Sequence, residues 1–170
     1  LEWIAEASER LRDHLNVLQR VELIREQARI PELEYVFKHD LTRDAAYASI
    51  LKKERPQFHR QVGEAIEALF PDTLEEESHR LAYHYREAKD DEKALKYYTL
   101  AGNMARRLSA YSEAITQYGH ALEIATRTSA SPGQLSFLYT RRGRMYELAG
   151  RYDEALANYD QLQEQGRKHN

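Results

Sequence analysis

The feature that most constrains this chain is a recurring pattern of small and aromatic residues in its C-terminal half. In "LAYHYREAKDDEKALKYYTLA", Leu81, Ala82 and Tyr85 precede a polar turn at Lys89 and Asp90, and Ala94, Tyr98 and Ala101 follow it. In "RGRMYELAGRYDEALANYDQL", Gly143, Tyr146, Gly150, Tyr152, Ala155 and Tyr159 fall in the same frame. Small residues at helical spacing let two helices approach, and aromatic rings fill the space left between them. A third stretch, "AGNMARRLSAYSEAITQYGHA", places Gly102, Tyr111, Ala114, Tyr118 and Ala121 in register. Ala114 follows Ala94 by only 20 residues, while Ala155 follows Ala114 by 41. A separate hairpin repeat of ~34 residues cannot fit between the first two. Helix 91–107 is therefore expected to end one hairpin and begin the next. The pattern predicts an irregular array of five helices near 75–88, 91–107, 110–127, 134–149 and 151–165, with a loop at "TSASPGQ". Gly102 and Gly143 take the close-contact positions and Gly150 a turn.

These residues resemble the tetratricopeptide repeat, a helical hairpin built on small and aromatic contacts. The N-terminal part reads differently. Ile4, Ala7, Leu11, Leu15 and Leu18 predict an amphipathic helix over 2–19. Two β-prone runs follow, Val21 to Arg25 and Leu33 to His39, around a polar turn containing Pro31. In the second run Leu33, Tyr35 and Phe37 alternate with Glu34, Val36 and Lys38, as in a hairpin strand. Asp40 or Thr42 can cap a helix through about Leu51, and Pro56 suits the first turn of another running to Phe70. Helix, hairpin and helix form the closing half of a winged helix. The expected class is mainly α: a partial winged helix over 1–54, a connecting helix over 55–73 and tetratricopeptide-like repeats over 74–170.

Chemistry is sparse along this sequence. A net charge of -3 with 42% hydrophobic and 31% charged residues suits a folded domain. No run approaches the ~20 apolar residues of a membrane span. With no cysteine there is neither disulfide, thiolate nucleophile nor cysteine zinc site, which is compatible with a cytoplasmic setting. The scattered glycines form no phosphate-binding loop. His79 and His84, five apart, lack the one-face geometry of helical zinc ligands, so no metal site is expected. No nucleophile set appears, and Glu75, Glu76 and Glu77 read as an exposed helix start that favours the helix dipole. No enzyme and no cofactor are expected in this chain. The pair His39-Asp40 admits two readings beside a sensor: a metal phosphohydrolase doublet, for which a strand is the wrong setting, or a histidine bonded within its own domain. The chain opens at Leu1 inside a helix, and is expected to be cut from a longer protein.

"YVFKHDLTRDAAY" resembles the end of the winged helix in STAND ATPases, the signalling class that includes apoptotic protease-activating factor and plant disease-resistance proteins. Their hallmark there is Met-His-Asp followed by Leu; Lys38 replaces Met here, while His39, Asp40 and Leu41 match. The continuation through Ala46, Tyr47, Ser49 and Leu51 and "RPQFHRQVGEAIEALFPD" is similar to bacterial members in which an ATPase module links to a nucleotide cyclase or LuxR-type output domain. The resemblance implies that His39 meets ADP held by a preceding ATPase module, so ATP and ADP belong to the parent protein. Asp40 is expected to cap the next helix. The repeats are expected to receive a protein partner or pack on the output domain. First-helix positions assign the groove to His79, Tyr83, Arg86, Asn103, Arg106, Thr140 and Arg144, a basic set that suits an acidic peptide. The alternatives are a DNA-binding regulator, disfavoured because Glu2, Glu6, Glu9 and Asp13 offset Arg10, Arg12 and Arg20 on the first helix, or part of a chain classed as an adenylate or guanylate cyclase.

Overall fold

The computed structural model describes the backbone of residues 2–28 and 34–168, and the side chains of residues 10–27 and 34–167. The chain divides into two compact units, residues 1–51 and 52–170.

In the first unit, α1 (Glu2–Arg20) leads into β1 (Ile24–Ala28), β2 (Glu34–Phe37) and α2 (Asp40–Ser49). The strands pair antiparallel with Ile24 opposite Phe37 and Glu26 opposite Tyr35, and the register shifts between Glu26 and Ala28. β1 begins later than the expected Val21 because residues 21–23 close the helix. Glu22 takes a left-handed conformation (φ 59°), and the Leu23 amide donates to the Leu18 carbonyl at 3.0 Å. That bonding pattern terminates a helix and leaves the β-branched Val21 outside the ladder. The turn at Pro31 and the position of Leu33 lie outside the described residues. β2 stops at Phe37 rather than His39, and His39 becomes the N-cap of α2 with extended backbone (φ -135°, ψ 134°) and no side-chain capping bond. Asp40 and Thr42 therefore do not cap this helix. Asp40 sits in its first turn, 3.0 Å from the Arg43 guanidinium. Among the described side chains of this unit Ile24 alone is buried, while Leu11, Val17, Phe37, Leu41 and Leu51 are exposed.

The second unit stacks α3 (Arg55–Leu69), α4 (Ser78–Glu87), α5 (Asp91–Arg107), α6 (Tyr111–Arg127), α7 (Pro132–Leu148) and α8 (Tyr152–Lys168), each packed on the next. The helix over 55–73 expected to connect is α3, which lies within this unit and packs on α4. Pro56 occupies its first turn. α4 begins at Ser78, not at Glu75. Glu76 and Glu77 donate their amides to the Thr73 carbonyl, and the Ser78 hydroxyl donates to the Glu75 carbonyl at 2.6 Å, so the acidic triplet forms a turn. α7 begins at Pro132, where the Ser131 hydroxyl oxygen accepts from the Gln134 amide.

Three contacts define the packing. A methyl group added at Gly63 would meet the Tyr85 ring at 2.9 Å, at Gly102 the Tyr118 ring at 2.7 Å and at Gly143 the Tyr159 ring at 2.5 Å. The hairpins α3/α4, α5/α6 and α7/α8 are thus equivalent, with glycine on the first helix and tyrosine on the second. The glycines recur about forty residues apart, within reach of a helical-hairpin period. α5 also packs on α4, but it opens the second hairpin and does not end the first: the expected shared helix and irregular array give way to three successive hairpins, because α3 and Gly63 supply the first helix that the spacing from Ala94 to Ala114 left out. Tyr85, Tyr97 and Tyr118 are fully buried, and rings of this kind each remove ~150–250 Å² from water. The short links are alike too. Lys89, Ser109, Ser129 and Gly150 all adopt positive φ, and the next residue donates back five positions, as Asp90 does to Tyr85 and Arg151 to Tyr146, each at 2.9 Å. This closure satisfies helix-end carbonyls and fixes the reversal of direction.

Candidate partner-binding surface

The tyrosine of each hairpin reaches back across the glycine to a polar group on the first helix. Tyr85 Oη donates to Glu67 Oε2 at 2.6 Å, Tyr118 Oη to Asn103 Oδ1 at 2.8 Å and Tyr159 Oη to Glu147 Oε1 at 3.0 Å. In the first hairpin Glu67 also accepts from Lys93 Nζ at 2.8 Å and from the Tyr97 hydroxyl. Burial alone would raise the Glu67 carboxyl, yet the three donors outweigh it and hold it below the usual range. Burial and the Glu67 carboxylate push the Tyr85 phenol up to about 12. For Lys93, burial opposes the charge, but the bonds to Glu67 and Tyr85 win and raise its ammonium. This network closes the α3–α4–α5 junction. In the third hairpin Glu147 is held by Arg144 at 2.5 Å and by Tyr159, and lies low for that reason.

The seven residues assigned to a groove fall in separate places. His79, Tyr83 and Arg86 stand on α4, the tyrosine-bearing helix of its hairpin, whereas Asn103 and Arg106 stand on α5 and Thr140 and Arg144 on α7, both glycine-bearing. His79 borders a hollow of about 360 Å³ with Met104, Leu108, Glu113 and Gln117. The Tyr83 ring meets His59 and His84 edge-on at 5.5 and 5.4 Å, with the Arg86 guanidinium 5.7 Å from its centre. Arg86 is paired with Glu87 at 3.3 Å. Asn103 and Arg106 come together beside Tyr118, while Thr140 is exposed. His39 is exposed at the end of the hairpin in the other unit.

Beside Tyr83, His59 Nδ1 and His84 Nδ1 lie 3.0 Å apart, a pair the sequence reading did not single out. One ring donates and the other accepts, so at most one proton is shared between them. Burial first, then His59 and Arg80, lower the His84 imidazole to about 4; burial also lowers His59, against the pull of Glu87. Among the described residues no cluster of three or more histidine or carboxylate groups could hold a metal ion, and no helix is long and apolar enough to cross a membrane.

No protein-family model matches the chain, and no curated protein matches it. Among solved structures, the TPR domain of Arabidopsis FLU is similar at 21% identity, over 69% of this chain and 99% of that one, with a TM-score of 0.47. The tetratricopeptide-like character of residues 52–170 stands on the glycine–tyrosine contacts of its own three hairpins.

Proposed function

We propose that this chain is a non-catalytic regulatory segment of a larger STAND-type signalling ATPase, whose hairpin array binds a protein partner and whose N-terminal unit is the end of a winged helix. The observation that carries the reading is the array itself. The tyrosine hydroxyls of its hairpins are engaged by Glu67, Asn103 and Glu147, while Arg144 on the glycine-bearing α7 is exposed to solvent. Stacked hairpins of this kind form extended surfaces suited to peptide segments. For the first unit, the support is the match of His39, Asp40 and Leu41 to the family hallmark together with the exposure of His39 where β2 hands over to α2. An imidazole so placed can meet a ligand held by another module and favour the state in which they touch. Cytoplasmic signalling, with ADP bound by the ATPase module and a cyclase or transcription-factor output, belongs to the same proposal.

The test uses the protein carrying its ATPase module. His39→Ala should weaken ADP binding about tenfold and raise basal output, since ~1.4 kcal/mol of lost differential binding shifts a two-state ratio by that factor. Equal ADP affinity and equal output in the two proteins would exclude the sensor role.

A further inference from the structure

Each hairpin tyrosine is preceded by a polar residue: His84, Gln117 and Asn158 in turn. Two of the three find partners inside their own hairpin. His84 Nδ1 lies 3.0 Å from His59 Nδ1, while Asn158 Nδ2 donates to the Tyr139 carbonyl at 2.8 Å and Asn158 Oδ1 accepts from Arg142 Nε at 2.7 Å. Gln117 differs. Its Nε2 donates to Glu113 Oε1, and because a carboxylate only accepts, that bond fixes which end of the amide is which. Gln117 is only 8% exposed, and its Oε1 is buried without any hydrogen-bond partner. A buried acceptor left in that condition is costly until a donor reaches it.

Gln117 lines the hollow of about 360 Å³ that opens where the start of α4, the end of α5 and the start of α6 come together. Ala101, Met104, Ala105 and Leu108 of α5 give it an apolar wall. Its rim is acidic, with Glu75, Glu76 and Glu113. Arg107 answers Glu75, whereas Glu113 holds the neutral Gln117 amide and Glu76 pairs with no cation among the described residues. Two carboxylates without a counter-charge therefore border an apolar hollow that also contains an unmet acceptor. The complement of such a site has an apolar stem, more than one N–H donor and a positive charge, which together describe an arginine side chain.

We propose that the hollow between α4, α5 and α6 receives an arginine side chain of the protein partner. The proposal rests on the protein-binding reading above and adds a basic contact to it, at a place that none of Arg86, Arg106 and Arg144 lines. The stem of the incoming side chain packs on Met104 and Leu108, one N–H meets Gln117 Oε1, and the remaining donors make charge-assisted bonds to Glu113 and Glu76. A planar fork serves an amide oxygen and a carboxylate at once, which a compact ammonium does less well. The volume lies at the low end of the ~300–1,000 Å³ of small-ligand pockets and suits a single side chain.

A fluorescently labelled tetra-arginine peptide titrated into the whole chain at physiological salt tests this, with labelled hexaglutamate as a second probe. Gln117→Leu should weaken tetra-arginine binding about tenfold, yet leave the melting temperature unchanged or higher, because it removes an unmet buried acceptor. A merely structural Gln117 would instead lose stability on replacement. Glu76→Gln and Glu113→Gln should each weaken binding about threefold, and Glu164→Gln, on α8 away from the hollow, should leave it unchanged. If Gln117→Leu lowers the helical signal, Glu113→Gln decides, since its amide oxygen still accepts from Gln117. Tetra-arginine binding that survives both Gln117→Leu and Glu113→Gln, or that Glu164→Gln weakens as much as they do, would overturn the site. A native chain that binds hexaglutamate but not tetra-arginine would overturn the site and leave the protein-binding reading in place; one that binds neither would overturn both.

Discussion

At Gly102 a single methyl group would meet Tyr118 ring carbons at 2.7 Å, a distance that forces either ring or helix to move. The ring is fully buried and tied to Asn103, so it has little room to yield. Gly102→Ala should therefore destabilise the chain by about 1–3 kcal/mol despite alanine's better helix propensity. Gly133→Ala, where nothing lies within 4 Å, should be neutral or slightly stabilising. Urea midpoints of the two variants check the contrast. The close approaches at Gly102 and Gly143 were legible, because glycine and tyrosine recur there with the same spacing. Gly63 was not, since the turn over 70–77 lengthens the gap to Tyr85 and hides the frame. The His59–His84 pair escaped notice because the two rings are 25 residues apart and meet only through the packing of α3 on α4, which a periodic pattern does not carry.

Among the elements, helix centres were easier to place than helix ends. The apolar and tyrosine period put α5 to α8 close to their observed positions, and Pro56 marked the first turn of α3. The strand limits shifted because Val21 and Leu23 carry β-prone side chains while their backbone is recruited to close α1. The α4 start shifted because Thr73 captures the amides of Glu76 and Glu77. The junction of α3 with α4 has a titration of its own. His59 and His84 face each other there, with Tyr83, Arg80 and Glu87 around them. The folded state holds His84 near 4, below the ordinary 6.5 of an unfolded chain, so folding disfavours its protonation. That stability is complete above pH 6.5 and is lost as the pH falls toward 4. His84 is only half-buried, so we expect a loss of about 1–3 kcal/mol between pH 7 and 4.5. Urea denaturation across that range measures it, and His84→Gln should flatten the slope. An unchanged slope in the variant would assign the acid sensitivity to other groups.

At the scale of the whole molecule, the two units differ in what holds them. Residues 52–170 share a continuous core running from Ile66 through Tyr85, Tyr98, Tyr118 and Leu138 to Met145. Residues 1–51 bury Ile24 among their described side chains and rely on the hairpin ladder and helix closures. A continuous core of this kind makes residues 52–170 a rigid platform. If the glycine-bearing layer of the array receives an acidic partner, hydrogen–deuterium exchange of the chain with saturating hexaglutamate peptide should show added protection in α5 and α7 relative to the free chain, with α4 and residues 2–28 and 34–49 unchanged. Protection along α4 instead, or in the first unit alone, would rule that layer out.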